Sequence, residues 1–282
     1  MATTQAGTLY VVATPIGNLR DITVRALETL AGADLILCED TRTSGTLLEH
    51  FGIRTARKPL HEHNERERIE PILADLGRGA RIALISDAGT PLLSDPGFPL
   101  VRAAREAGLP VFAVPGASAL LAALAVAGLP TDAFTFAGFL PARAGARESA
   151  LAALALRRET LVLYESPRRL AETLGAMARQ LGERREAAVA LELTKRFERV
   201  QRGTLAHLAS SFAGTTTRGE AVIVVAGAVA DEAGGDMDWL AALARALETQ
   251  PLRQAVDLVT TEYGVKRKEV YDAALRLKAE KP

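Results

Sequence analysis

Ile85-Ser86-Asp87-Ala88-Gly89-Thr90-Pro91-Leu92-Leu93-Ser94-Asp95-Pro96-Gly97 leaves a short aliphatic run, Arg81 to Ser86, and precedes an apolar stripe at helical spacing, Leu100, Val101 and Ala104. Strand-to-helix connections usually take about 2 to 6 residues. Thirteen residues of small, hydroxyl-bearing, acidic and proline character are more than a connector needs. In open α/β sheets, ligands bind beyond the carboxyl ends of strands, so this segment marks a place for chemistry.

Working outward, aliphatic runs at Leu9 to Ala13, Asp34 to Cys38 and Pro110 to Val114 alternate with helical patterns, which predicts a largely parallel sheet over residues 1–116. Asp21 is the expected cap of a helix carrying Leu27 and Leu30, and Gly108 the expected stop of the helix built on Leu100. Three more strand ends stand out. Thr14-Pro15-Ile16-Gly17-Asn18-Leu19 makes a tight turn that exposes backbone amides. Glu39-Asp40-Thr41-Arg42 sets two carboxylates side by side; helix capping explains Asp40 but not Glu39. Val114-Pro115-Gly116-Ala117-Ser118 again uses small residues, with Ser118 placed to cap the next helix.

Residues 117–228 read as a second α/β domain, with a helix at Ser118 to Ala127 and strands at Phe134 to Gly138, Thr160 to Glu165, Ala187 to Glu192 and Glu220 to Ala226. Residues 229–282 read as a linker and a helical hairpin. Leu252, Val256 and Val259 stripe one helix, Gly264 turns, and Val270, Ala274 and Leu277 stripe the next. Two domains and an appendage suit 282 residues at about 100 to 200 per domain.

The composition, 48% hydrophobic but only 5% aromatic, suits aliphatic strands under alanine- and leucine-rich helices. The single cysteine, Cys38, excludes an intrachain disulfide and falls short of a zinc cluster, which favours a reducing compartment. The opening MATTQAGTLYVVATP lacks a basic region followed by an apolar run, so a cytoplasmic location without membrane attachment is expected. Zero net charge hides an uneven distribution: Lys and Arg against Asp and Glu number 12 to 14 over residues 1–117, but 14 to 10 over residues 118–228. No G-x-G-x-x-G follows a strand, and no G-x-x-x-x-G-K-[ST] occurs.

In order and spacing, TPIGNL, EDTR, SDAGTPLLSDPG, PGAS, YESPRR (Tyr164 to Arg169) and RGE (Arg218 to Glu220) resemble the small-subunit ribosomal RNA 2′-O-ribose methyltransferases of the tetrapyrrole-methylase superfamily. The resemblance spans essentially residues 8–228. It implies two α/β domains with S-adenosylmethionine held in the cleft between them, within a homodimer, and a decoding-region cytidine of 16S rRNA in the small subunit as acceptor. On this sequence it implies a cofactor lined by Pro15 and Gly17, by Asp87, Ala88, Gly89, Thr90 and Pro91, by Ser118, by Tyr164 and Glu165, and by Arg218, Gly219 and Glu220. Members acting on tetrapyrroles carry a G-x-G-P-G type first loop. TPIGN departs from it and favours RNA.

A ribose hydroxyl is a poor nucleophile near neutrality, so a base should assist. Glu39, Asp87 and Lys195 are the candidates, and the sequence does not choose among them. Asp87 could instead orient the cofactor, and Lys195 could bind phosphate. His61 and His63 are expected on one face of a strand, but two imidazoles without further ligands do not make a metal site, so no metal is expected. Arg143, Arg168, Arg169 and Arg196 are candidate phosphate ligands. So are Lys266, Arg267 and Lys268, because cations at a helix N-terminus oppose the helix dipole. Two alternatives remain: a tetrapyrrole or protein-residue methyltransferase of the same fold, and a non-catalytic RNA-binding or assembly protein.

Overall fold

The computed structural model describes residues 7–214, 219–228 and 239–279. Arg218, and most of the expected linker, lie outside the described residues.

The first lobe is built on β1 (Thr8–Val12), β2 (Leu35–Cys38), β3 (Arg57–Pro59), β4 (Arg81–Leu84) and β5 (Val111–Val114). These form one parallel sheet in the order β3-β2-β4-β1-β5. Alternate residues of each strand face opposite layers. Leu9, Leu37, Ile82 and Leu84 pack against α3 (Glu65–Gly77) and α4 (Phe98–Glu106). Val12, Ile36, Cys38 and Ala83 pack against α1 (Val24–Gly32) and α2 (Thr41–His50). Burial on both faces explains why the strands read as continuous aliphatic runs. The chain leaves β1 toward β2 on one side and leaves neighbouring β4 toward β5 on the other. The gap between those two strand ends is therefore a topological switch point, where open sheets bind ligands.

The second lobe holds β6 (Phe134–Phe139), β7 (Thr160–Glu165), β8 (Glu186–Leu191), β9 (Arg199–Thr204) and β10 (Ala221–Val225) in the order β6-β7-β10-β8-β9. β6 and β7 are parallel, and the remaining pairs are antiparallel. One face is covered by α6 (Ala144–Leu154), α7 (Leu170–Leu181) and α8 (Leu205–Phe212). The other is covered by α5 (Ala119–Ala127), whose Leu120, Ala123, Leu124 and Ala127 meet Val162, Ala190 and Val222. Ile16 of the first lobe joins that same cluster, stitching the lobes together.

Several expectations are corrected. Thr23, not Asp21, caps α1, accepting a hydrogen bond from the Ala26 amide; Asp21 ends a preceding turn of 3₁₀ helix. His61 and His63 occupy a turn after β3 rather than a strand. The Asn64 side-chain amide lies 3.0 Å from His61 Nε2. The tail is not only a hairpin: α9 (Trp239–Thr249) packs on α10 (Leu252–Tyr263) and α11 (Arg267–Ala279) around Leu243, Val256, Val259, Val270 and Ala274. Gly264 makes the expected turn between α10 and α11; its backbone there is left-handed, and a Cβ would collide with the Arg158 guanidinium of the second lobe.

Candidate active site

The turn after β1 and the segment after β4 meet at the switch point. Thr14 N–H donates to the Gly89 carbonyl (2.8 Å) and Gly89 N–H to the Thr14 carbonyl (3.0 Å). The Thr14 hydroxyl donates to the Ser86 carbonyl and the Ser86 hydroxyl to the Ala88 carbonyl, each at 3.2 Å. Left-handed backbone at Gly89, Leu92, Ser94 and Gly97 explains the irregular path of this segment. The Thr90 hydroxyl donates to the Ala117 carbonyl, tying in the loop after β5.

From the second lobe come the carboxyl ends of β7 and β8 and, because β10 is antiparallel to both, the start of β10. Between the lobes lie two cavities of about 430 Å³ each. The first is walled by Ile16, Leu93, Ala119, Phe139 and Val222, with Asp87, Thr90, Asp95 and Tyr164 as polar groups. The second is lined by Thr14, Pro15, Gly17, Thr43, Thr46 and Lys195. They share Ile16, Asp87, Ala88 and Glu220.

Four carboxylates gather at one rim. Asp40 caps α2, accepting from Arg42 N–H at 2.7 Å, while its own N–H donates to Asp87 Oδ1 at 3.1 Å. Burial, and secondarily the charges of Asp87 and Glu62, raises the Glu39 carboxyl above its ordinary range. Burial also raises Asp87, assisted by Asp40 and only partly offset by the Asp40 N–H. Asp95 is pushed up to about 6 chiefly by burial, which outweighs the lowering effect of Ser86 and is assisted by the charges of Glu39 and Asp87.

Lys195 crosses from the second lobe. Its ammonium donates to Glu192 Oε1 (3.0 Å) and Glu220 Oε2 (3.2 Å), and Glu220 N–H donates to the same Glu192 oxygen (3.0 Å). Burial alone would lower the Lys195 ammonium, but these carboxylates hold it above the usual lysine range. Its stem lies on Gly17, where a Cβ would stand 2.5 Å from Cγ and Cε, and φ is +144°. Gly219, at φ +89°, leaves the space that the Glu192 carboxylate fills. Glu192 and Thr194 both have left-handed backbone, so this turn carries local strain.

The cleft thus brings together Pro15, Gly17, Asp87, Ala88, Gly89, Thr90, Tyr164, Glu165, Lys195, Gly219 and Glu220. Several expected residues also have a structural part. Ser118 caps α5. The buried Glu165 carboxylate accepts from Ser166 N–H (2.7 Å) and the Thr173 hydroxyl (2.6 Å). Tyr164 uses its oxygen to accept from Leu120 N–H at 3.2 Å, which leaves the phenol proton free to donate. Pro91 is buried beside the cleft. Among the basic residues, Arg143, Arg168, Arg196, Lys266 and Lys268 are exposed. Arg169 is turned inward, donating to the Leu140 and Pro141 carbonyls, and Arg267 pairs with Asp257 at 2.7 Å. Asp95, Ile16, Phe139 and Glu192 were not singled out from sequence. Asp95 and Ile16 do lie inside segments whose unusual residue types are readable, whereas Phe139 and Glu192 carried no such signal.

Residues 8–209 match the family model for Tetrapyrrole (Corrin/Porphyrin) Methylases, and residues 233–278 match the RsmI C-terminal HTH domain. A Mesorhizobium japonicum protein called ribosomal RNA small subunit methyltransferase I is 51% identical over 273 residues, covering 96% of this chain and 92% of that one. Its Escherichia coli O157:H7 namesake is 46% identical over 271 residues, covering 95% of each. Among solved structures, uroporphyrin-III-C-methyltransferase from Thermus thermophilus aligns with TM-score 0.55 at 23% identity, covering 78% of this chain and 94% of that one. Diphthine synthase aligns with TM-score 0.58 at 15% identity, covering 78% and 89%. At those identities the two structures bear on fold alone.

Proposed function

The chain belongs to the tetrapyrrole methylase family and, within it, to the ribosomal RNA small subunit methyltransferase I group, and from that premise we propose that it transfers a methyl group from S-adenosylmethionine to small-subunit ribosomal RNA. The acceptor in this reading is the 2′-hydroxyl of a cytidine in the decoding region of 16S rRNA, and the enzyme acts as a homodimer.

The observation that carries the reading is the pair of joined cavities at the switch point, one suited to the donor and one to the acceptor. The first fits the donor. Its aliphatic and aromatic wall suits a heterocycle, and Asp87, Asp95 and Thr90 offer acceptors for hydroxyl and ammonium groups. Bound there, S-adenosylmethionine supplies an electrophilic methyl on a positive sulfur, which leaves as a neutral thioether when the oxygen–carbon bond forms. The chain's own task is positioning and proton removal. Asp87 lines both cavities, and in this reading its carboxylate takes the hydroxyl proton or orients the hydroxyl, with Glu39 behind it. Lys195 is held protonated by two glutamates, so its role is that of a cation and not a base.

The test is transfer of tritium from labelled donor to small ribosomal subunits lacking the modification, followed by mapping of 2′-O-methylated positions. Wild-type protein should label one cytidine. Asp87→Asn should lower single-turnover rates at least about 100-fold. Labelling of another position would overturn the finer assignment, and no uptake of donor would overturn the whole reading.

A further inference from the structure

The second cavity has a charge pattern that restricts what can enter it. Its polar lining residues are Thr14, whose hydroxyl is already bonded to the Ser86 carbonyl, with Thr43, Thr46, Asp87, Glu220 and Lys195. That ammonium already serves Glu192 and Glu220, so the charges nearest it sum to negative before Asp87 is counted. A phosphate pushed in would meet like charge at short range. Hydroxyl and amino groups would meet acceptors, and a planar base would meet the aliphatic surface of Ile16, Leu19, Leu47 and the Lys195 stem.

Cationic character lies outside. Arg42 is one turn before Thr46 on the same face of α2, and its side chain is 91% exposed. It pairs with Asp40 through Nε at 3.3 Å and the terminal nitrogen Nη2 at 3.0 Å, and its remaining terminal nitrogen is free of Asp40 to meet a second anion.

We propose that the second cavity receives the acceptor as a single unstacked nucleoside, with its flanking phosphates left outside and one of them held at Arg42. This rests on the methyltransferase reading above and deepens it. The Asp87 end, where the two cavities join, then faces the sugar, and Thr43 and Thr46 face the base or its ribose. Extrusion costs the acceptor its stacking, which is least for a nucleotide already in single-stranded RNA.

The inference can fail separately from the function. Donor uptake by wild-type protein is measured first by calorimetry; its absence would remove the functional reading and this inference with it. With uptake established, Thr46→Phe fills the second cavity without touching the first. Donor affinity should stay within about threefold while kcat/KM on small subunits falls at least about 100-fold. Thr43→Phe, also exposed on α2, supplies a second filling should Thr46→Phe lower the Tm. Near wild-type turnover in a folded, donor-binding filled variant overturns the proposal. The salt dependence of small-subunit binding gives an independent readout. Arg42→Gln should reduce the slope of log K against log salt by about 0.7 to 0.9, the share of one phosphate contact. Lys195→Met should leave the slope unchanged. The reverse result would place phosphate inside the cavity and overturn the proposal.

Discussion

Replacing Asp95 by Asn should stabilise this protein at neutral pH, which is the opposite of what most changes to a half-buried polar residue do. Asp95 titrates at about 6 in the folded chain against an ordinary 3.8, chiefly because burial disfavours its charge and then because Glu39 and Asp87 repel it. The folded state therefore holds a proton that the unfolded state has lost between about pH 4 and pH 6. Below that window both states are protonated and nothing is lost; stability falls as pH rises through it, and the full cost applies above it. A rise of about two pH units corresponds to about 3 kcal/mol. Asp95 is only partly buried, so solvent screening brings the expected gain from Asp95→Asn to about 1 to 2 kcal/mol. Chemical denaturation at pH 4 and pH 7.5 checks this. The variant should match wild type at the lower pH and exceed it at the higher by that amount. Equal stability of the two proteins at both pH values would refute the account of a carboxylate kept under electrostatic stress.

The same carboxylates set the shape of the pH–rate profile. With Asp87 or Glu39 raised but still acidic, single-turnover methylation should climb with pH and level off by about neutrality; a climb continuing toward pH 10 would return Lys195 as the base. Gly219→Ala should displace Glu192 from its place beneath the backbone, lowering donor affinity and Tm together, because it combines a clash with a φ of +89°. Thermal melts and calorimetry read both. Thr173→Val should leave one oxygen of the buried Glu165 without its hydroxyl partner, at a cost of about 1 to 3 kcal/mol in denaturant titration.

The sequence made the centre of each sheet legible because β1, β4, β7 and β10 are aliphatic on both faces. It hid the edges. β3 has three residues, two of them exposed, and β9, Arg199–Thr204, has a polar or glycine residue at most positions. Neither carries an apolar period to detect. Of the site, the loops at strand ends were readable because their residue types are unusual for connectors. What each side chain does there was less so, since it depends on partners distant in the chain. Lys195 has base-like chemistry in isolation and becomes a fixed cation only through Glu192 and Glu220. Arg169 has the composition of a phosphate ligand but turns one terminal nitrogen to the Leu140 and Pro141 carbonyls and the Glu165 carboxylate. The His61–His63 turn was misread because Pro59 and Asn64 end the extended run after only three residues.

The reciprocal Thr14–Gly89 bonds have a consequence for the order in which events occur at this cleft. Two excursions that the chain makes 75 residues apart are fastened to one another by their own main chain, with no side chain at Gly89 to lose. An incoming molecule need not assemble that floor and so spends none of its affinity on doing so. Amide exchange at Thr14 and Gly89 should accordingly be as slow before a ligand arrives as after it, while the surrounding side chains alone tighten.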